Sequence, residues 1–182
     1  MEIGDVWRVV EQARAGLPPT APAEEVAAAM VKLLSTWEPA DIVAFEQPLW
    51  DLLMVSYRAD LWAAAYVINC GASDDGFDYF RGWLVAQGRD TFELALADPE
   101  SLAGHPAVIA AVADENGLEC EDVLAVASYA YEQVTGTDEL PDAGFVIEYP
   151  GLDPDWDFDF DDAAEMRRRL PRLAALYEHG EG

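Results

Sequence analysis

Cys70–Trp83 reads CGASDDGFDYFRGW, and the fold turns on how this stretch is parsed. It contains three aspartates, an arginine, a cysteine and four aromatic residues. Gly71 suits the left-handed position just past a helix end, and Ser73 is a good N-cap for a following helix. Asp74 and Asp75 then fall in the first turn of that helix, where negative charge is worth about 0.3–1 kcal/mol each. Phe77, Phe80 and Leu84 recur at i, i+3, i+7 as a buried stripe. Asp74, Asp78 and Arg81 recur at i, i+4, i+7 on a second face, where Asp78 and Arg81 are spaced to pair. Gly82 inside a helix costs about 1 kcal/mol against Ala and fits a close helix–helix approach. The stretch is thus a helix stop followed by a two-faced helix.

The same helical period extends outward in both directions. The N-terminal MEIGDVWRVVEQAR is amphipathic and acidic, without the basic start and apolar centre of a signal peptide. Val26, Met30, Leu33, Leu34 and Trp37 form one stripe, with Glu24 and Glu25 complementing the helix N-terminus. From Pro39 the period continues through Ile42, Phe45, Leu49, Leu52 and Leu53, and Pro48 should kink or divide that helix. Further helices are expected over Leu61–Asn69, Asp74–Gln87, Asp90–Ala97, Pro106–Glu115 and Glu121–Val134, with a turn or short cap at DPESLAG.

Thr137–Asp161 departs from this pattern. It carries Pro141, Gly144, Pro150, Gly151 and Pro154, and FVIEY is a β-like run that allows a short strand. The expected fold is therefore all-α. An irregular multi-helix bundle spans residues 1–136 and a long acidic Pro/Gly/aromatic docking loop spans 137–161. A C-terminal helix within 162–182 is packed on or extends the domain and is interrupted at Pro171.

Ten basic residues against 36 acidic ones give a net charge of −26, and Lys32 is the one lysine. Such a field repels phosphate backbones, which argues against nucleic-acid binding and favours a basic protein partner. Acidity that serves solubility alone accounts for the same balance. No apolar run approaches the roughly 18 residues that span a bilayer, so no membrane association is expected. Two cysteines fifty positions apart, Cys70 and Cys120, suit reduced thiols in the cytoplasm better than a disulfide framework.

The candidate site is Trp62, Tyr66, Asp74, Asp75, Asp78 and Arg81. Trp62 and Tyr66, an i, i+4 pair, would wall the polar cluster if their helix and the next pack as a hairpin. Carboxylates so placed suit a divalent cation or general acid–base chemistry. Against this, adjacent Asp74 and Asp75 point different ways on a helix and no histidine is near in sequence. A purely structural reading of the motif, and a binding surface without chemistry, are the two alternatives. No metal site or cofactor motif is read. The spacings of Cys70, Cys120, His105 and His179 match no zinc pattern, both cysteines suit the core, and His105 beside Pro106 reads as exposed. The run DPDWDFDFDD resembles an EF-hand loop only superficially, because Phe158 stands where glycine is needed and Ala164 where glutamate is needed. It reads better as a strap whose aromatics dock inward or as an acidic-aromatic segment for a basic partner. Arg167, Arg168, Arg169 and Arg172 are close enough in sequence to neutralise it internally.

The longer run DLWAAAYVINCGASDDGFDYFRGWLVAQGRD resembles the signature of a bacterial family, domain of unknown function 4240, over residues 1 to about 130. The tail RRRLPRLAALY is similar to actinobacterial members. The resemblance implies a cytosolic bacterial protein and supplies no activity. One departure stands out: Cys70-Gly71-Ala72 replaces the two glycines followed by a small residue or cysteine that the family usually shows. The functional expectation is a soluble acidic protein-binding module of the adaptor, regulatory or immunity-like kind. An enzyme or divalent-metal protein built on Asp74, Asp75, Asp78 and Arg81 is the alternative.

Overall fold

Prolines and glycines punctuate a chain whose apolar residues otherwise keep a helical period, and many of the helix boundaries fall at one of them. The computed structural model describes residues 1–114, 117–142 and 144–178. Helix α1 covers Ile3–Ala15, α2 Ala23–Leu34 and α3 Pro39–Val55. Helix α4 covers Ala59–Ile68, α5 Asp74–Ala86 and α6 Arg89–Ala97. A 3-10 turn at Pro99–Gly104 leads to α7 at Pro106–Asp114. A second 3-10 turn at Glu121–Ala125 runs into α8 at Val126–Thr135, which ends at Gly136 in the left-handed conformation. After the strap come α9 at Ala163–Arg169 and α10 at Pro171–Glu178. The fold is all-α and irregular, with no strand among the described residues.

Helix α5 is central. It packs against α2, α3, α4 and α6 and against the second 3-10 turn. Phe77, Phe80 and Leu84 are fully buried with Phe45, Phe92, Leu49 and Leu61 in one continuous core. Each such side chain contributes about 1.5–3 kcal/mol by leaving water. Gly82 does mark a close approach, made by the Cys120 backbone and the 3-10 turn after it rather than by an α-helix: a Cβ there would lie 2.3 Å from the Cys120 carbonyl oxygen and 2.6 Å from Leu124 Cδ1. The approach is fixed by the Cys120 amide, which donates to Tyr79 O at 2.9 Å.

Several boundaries differ from expectation. Helix α3 runs unbroken through Pro48, which is buried within it. Once the neighbouring turns are held by core contacts, the one missing amide does not divide a helix. The helix expected over Glu121–Val134 begins as a 3-10 turn, which lets Val123 reach the core while the Cys120 carbonyl rests on Gly82. The FVIEY run forms no strand, because it lies on helices and has no strand edge to pair with. The C-terminal helix is two helices divided at Leu170-Pro171, where Leu170 leaves helical geometry. Its second half docks through Glu100, a buried carboxylate that accepts from the amides of Arg172 at 2.7 Å and Leu173 at 2.9 Å. Met166, Leu170 and Leu173 complete that face inside the common core. Residue 115 of the expected seventh helix, His179 and the end of the C-terminal segment lie outside the described residues.

The turn before α5 also departs in detail. The amide of Gly71 donates to Tyr66 O at 2.8 Å, closing the end of α4, but the left-handed residue is Cys70 with φ 53°. Gly71 takes φ 127°. The turn needs two positive φ values in succession, which two glycines would meet without strain.

Candidate functional site

Helix α5 starts as its sequence dictates. Ser73 Oγ accepts the Gly76 amide at 3.1 Å, and Asp74 and Asp75 sit exposed in the first turn. The polar stripe expected along Asp74, Asp78 and Arg81 then divides. Asp74 and Asp78 remain near Tyr57, while Asp75 lies on the other side with Tyr79 and Glu121. Arg81 turns inward and is fully buried.

The Arg81 guanidinium is boxed by rings. Its central carbon lies 4.8 Å from the Phe77 centroid, 5.2 Å from Tyr57 and 5.3 Å from Tyr149. It donates to the Leu53 carbonyl and to Asp78, and its Nε has no acceptor. A charge so enclosed depends on that pairing, since an uncompensated buried cation costs several kcal/mol. Burial first, then the charge of Asp74, holds the Tyr57 hydroxyl above its ordinary value, so this wall stays neutral. Trp62 backs the box by stacking on Phe77 at 4.8 Å with an interplanar angle of 13°, and its Nε1 donates to Ala72 O at 3.0 Å.

Tyr66 stands apart from this cluster. Its hydroxyl donates to Asp161 at 2.5 Å and its ring meets Phe160 edge to face at 5.6 Å. That hydrogen bond, then burial, raises the phenol above its usual value. The strap follows an alternating pattern here: Trp156, Phe158 and Phe160 are half-buried, whereas Asp153, Asp155, Asp157 and Asp159 are exposed. Between strap and α4 a cleft of about 570 Å³ is lined by Trp62, Tyr66, Trp156, Phe158 and Phe160 with Asp153, Asp157 and Asp159. Of the six candidate residues, the structure gathers Trp62, Asp78 and Arg81 around the box and places Trp62 and Tyr66 on the cleft.

The sequence reading missed Gln47, Trp50, Tyr57 and Tyr149. Gln47 grips the strap: its amide nitrogen donates to Val146 O at 3.0 Å and its oxygen accepts from the Val146 amide at 2.8 Å. Phe145 meets Trp50 edge to face at 5.8 Å, and Tyr149 stacks on Tyr57 at 4.4 Å. Nothing local marks these residues, and only the fold of the strap joins them.

The cysteines separate. Cys120 is buried, with its thiol pushed up to about 11 by burial, while Cys70 is exposed at its outward-turned position, contrary to the core reading. His105 is half-buried rather than exposed, with its ring edge-on to Trp83 at 5.6 Å. Burial and the charge of Arg14 lower its value. Among the described residues no group of three or more His, Cys, Asp or Glu side chains is arranged to hold a metal ion. No described helix is long and apolar enough to cross a membrane.

Comparisons with curated proteins and with solved structures find no match. The family model that does match covers residues 1–133, all of α1–α7 and most of α8, and leaves the strap and the last two helices outside. The motif around α5 and the extent of that match place the chain in the family described as Protein of unknown function (DUF4240).

Proposed function

We propose that this chain is a protein-binding module that receives a basic segment of another protein in the cleft between α4 and the strap. The observation that carries this reading is the composition of that cleft, with five aromatic residues forming walls and three aspartates at the rim. Aromatic faces attract cations, and a guanidinium or ammonium entering between them meets carboxylates as well. The same strap already holds one guanidinium: Arg169 lies 4.8 Å from the Trp156 centroid and 4.9 Å from Phe158.

Three nearby arginines, Arg169 included, also pair with carboxylates outside the cleft. Arg168 and Arg169 bind Glu165 at 2.6 and 2.7 Å, and Arg172 binds Asp98 at 2.7 Å and Glu100 at 3.3 Å. The net charge of −26 draws a basic partner toward the chain, and the cleft supplies its specificity.

The test must separate the cleft from the general acidity. A defined arginine- and glycine-containing peptide is titrated against wild type, against Asp153→Asn/Asp157→Asn/Asp159→Asn, and against the equal-charge control Glu11→Gln/Glu25→Gln/Asp90→Asn. The cleft triple should lower affinity about tenfold or more, the control should change it less than about twofold, and wild-type binding should fall with salt. Equal losses in both triples would reduce the interaction to non-specific charge and refute the reading.

A further inference from the structure

The way residues 145–149 are held points to a second recognition site, distinct from the acidic aromatic cleft. We propose that the groove between α3 and α5 is a receptor for an extended peptide with two aromatic side chains four residues apart, and that residues 145–149 are its tethered occupant.

The contacts are those of peptide recognition rather than of core packing. Gln47 satisfies both backbone groups of Val146 and reads no side chain. Its amide is oriented by Asp51, which accepts from the same nitrogen at 2.9 Å. Val146 and Ile147 are 51% and 39% exposed, so the residues between the anchors add little burial. Specificity therefore rests on the ends: Phe145 against Trp50, and Tyr149 on Tyr57 above Arg81.

Most of the receiving half comes from outside the segment that occupies it. Phe77, Tyr57, Leu53 and Asp78 fix Arg81 from within the family-matched region, whereas Tyr149 comes from outside it. The buried Arg81 Nε has no acceptor under the present cover, so the box is incompletely satisfied by Tyr149. An aromatic side chain whose peptide also offers an acceptor there would satisfy it better. The occupant is held at few points. Tyr149 remains 39% exposed, and its connection to α8 is exposed at residues 136–139 and 141–142, with Leu140 packed on the core between them and Gly144 at φ 80°. A partner must outcompete a segment whose effective concentration is on the order of millimolar, so engagement in trans requires release of the strap.

The test uses the full chain carrying Phe145→Ser/Val146→Pro/Tyr149→Ser, which leaves the groove intact and removes the amide that Gln47 accepts from. The probe is a fluorescein-labelled synthetic peptide copying residues 144–150, which has no positive side chain and so does not report on the acidic cation-binding cleft. Saturable binding to this variant, at least about tenfold tighter than to wild type, is expected. It should be lost on adding Gln47→Ala or on changing the peptide's tyrosine to serine. No saturable binding to a cooperatively folded variant would overturn the proposal, as would equal binding to wild type or indifference to Gln47→Ala. Should the variant fail to fold, hydrogen exchange on wild type decides. Millimolar unlabelled peptide should accelerate exchange of the Val146 amide, and no acceleration overturns the proposal.

Discussion

Replacing Gly82 with alanine sets two effects of opposite sign against each other. In a helix interior the change gains about 1 kcal/mol from propensity alone. The new methyl would lie 2.3 Å from the Cys120 carbonyl oxygen, against the roughly 3.3 Å of a close carbon–oxygen contact. One of the two segments must therefore move by about 1 Å. Helix α5 is encased from Phe80 to Ala86, so the Cys120 side gives way. A displacement of that size breaks the 2.9 Å hydrogen bond from the Cys120 amide to Tyr79 O, a loss of about 1 kcal/mol. It also disturbs buried Cys120 and Val123, and overpacking of this kind costs about 1–3 kcal/mol.

The net expectation for Gly82→Ala is a loss of about 1–3 kcal/mol, read as a midpoint shift in urea and a fall in Tm of about 3–10 °C. Two controls locate the cause. Leu124→Ala in the same background removes the 2.6 Å side-chain clash but leaves the carbonyl, so it should not restore stability. Gly76→Ala meets only Glu119 Oε1 and the capping Ser73 Oγ at 3.3 Å, so it should be neutral to stabilising by up to about 1 kcal/mol. A Tm for Gly82→Ala at or above the wild-type value would refute the close-approach argument.

Three other outcomes follow from the same geometry. Cys70→Gly should stabilise the chain by about 0.5–1 kcal/mol, because it relieves a left-handed residue at φ 53° while adding glycine's entropy to the unfolded state; denaturant titration checks this. In native buffer a thiol reagent should modify Cys70 rapidly and Cys120 only after unfolding, since burial holds the Cys120 thiol at about 11; absorbance counts the thiols released in each phase. The Tyr66–Asp161 bond raises the Tyr66 phenol, so its contribution is fully present below the unfolded value of about 10 and is lost as pH rises through the higher folded value; Tyr66→Phe should remove that alkaline dependence from the Tm profile.

The helical architecture was legible because it depends on local rules. Ser73 caps, Gly136 terminates, and Phe77, Phe80 and Leu84 keep one face inward whatever the rest of the chain does. Where local rules failed, a tertiary contact overrode them. Pro48 stays inside α3 because that helix is fixed by Phe45, Leu49 and Leu52 in the core. The start of the helix expected from Glu121 tightens to a 3-10 turn because the Cys120 carbonyl must rest on Gly82. The glycine signalled a close approach, and the partner in that approach was not written near it.

Arg81 shows why the site was harder to read than the fold. Its spacing to Asp78 correctly gave the pair, and period alone put both on a second face without saying whether that face is open or buried. Two facts moved Arg81 inside. The stretch from Phe80 to Ala86 is buried on every side, which the run Trp83–Ala86 signals weakly, and Tyr149 arrives from the strap to cover the guanidinium. A cation enclosed this way is poor evidence for stability, since an apolar residue of similar size often serves as well or better. In the receptor proposed above, the cation would add selectivity for an aromatic ring at one place and for an acceptor near its unpaired Nε. Core packing alone would favour methionine or leucine at position 81, so an arginine there is better explained by what must lie over it than by what it supports.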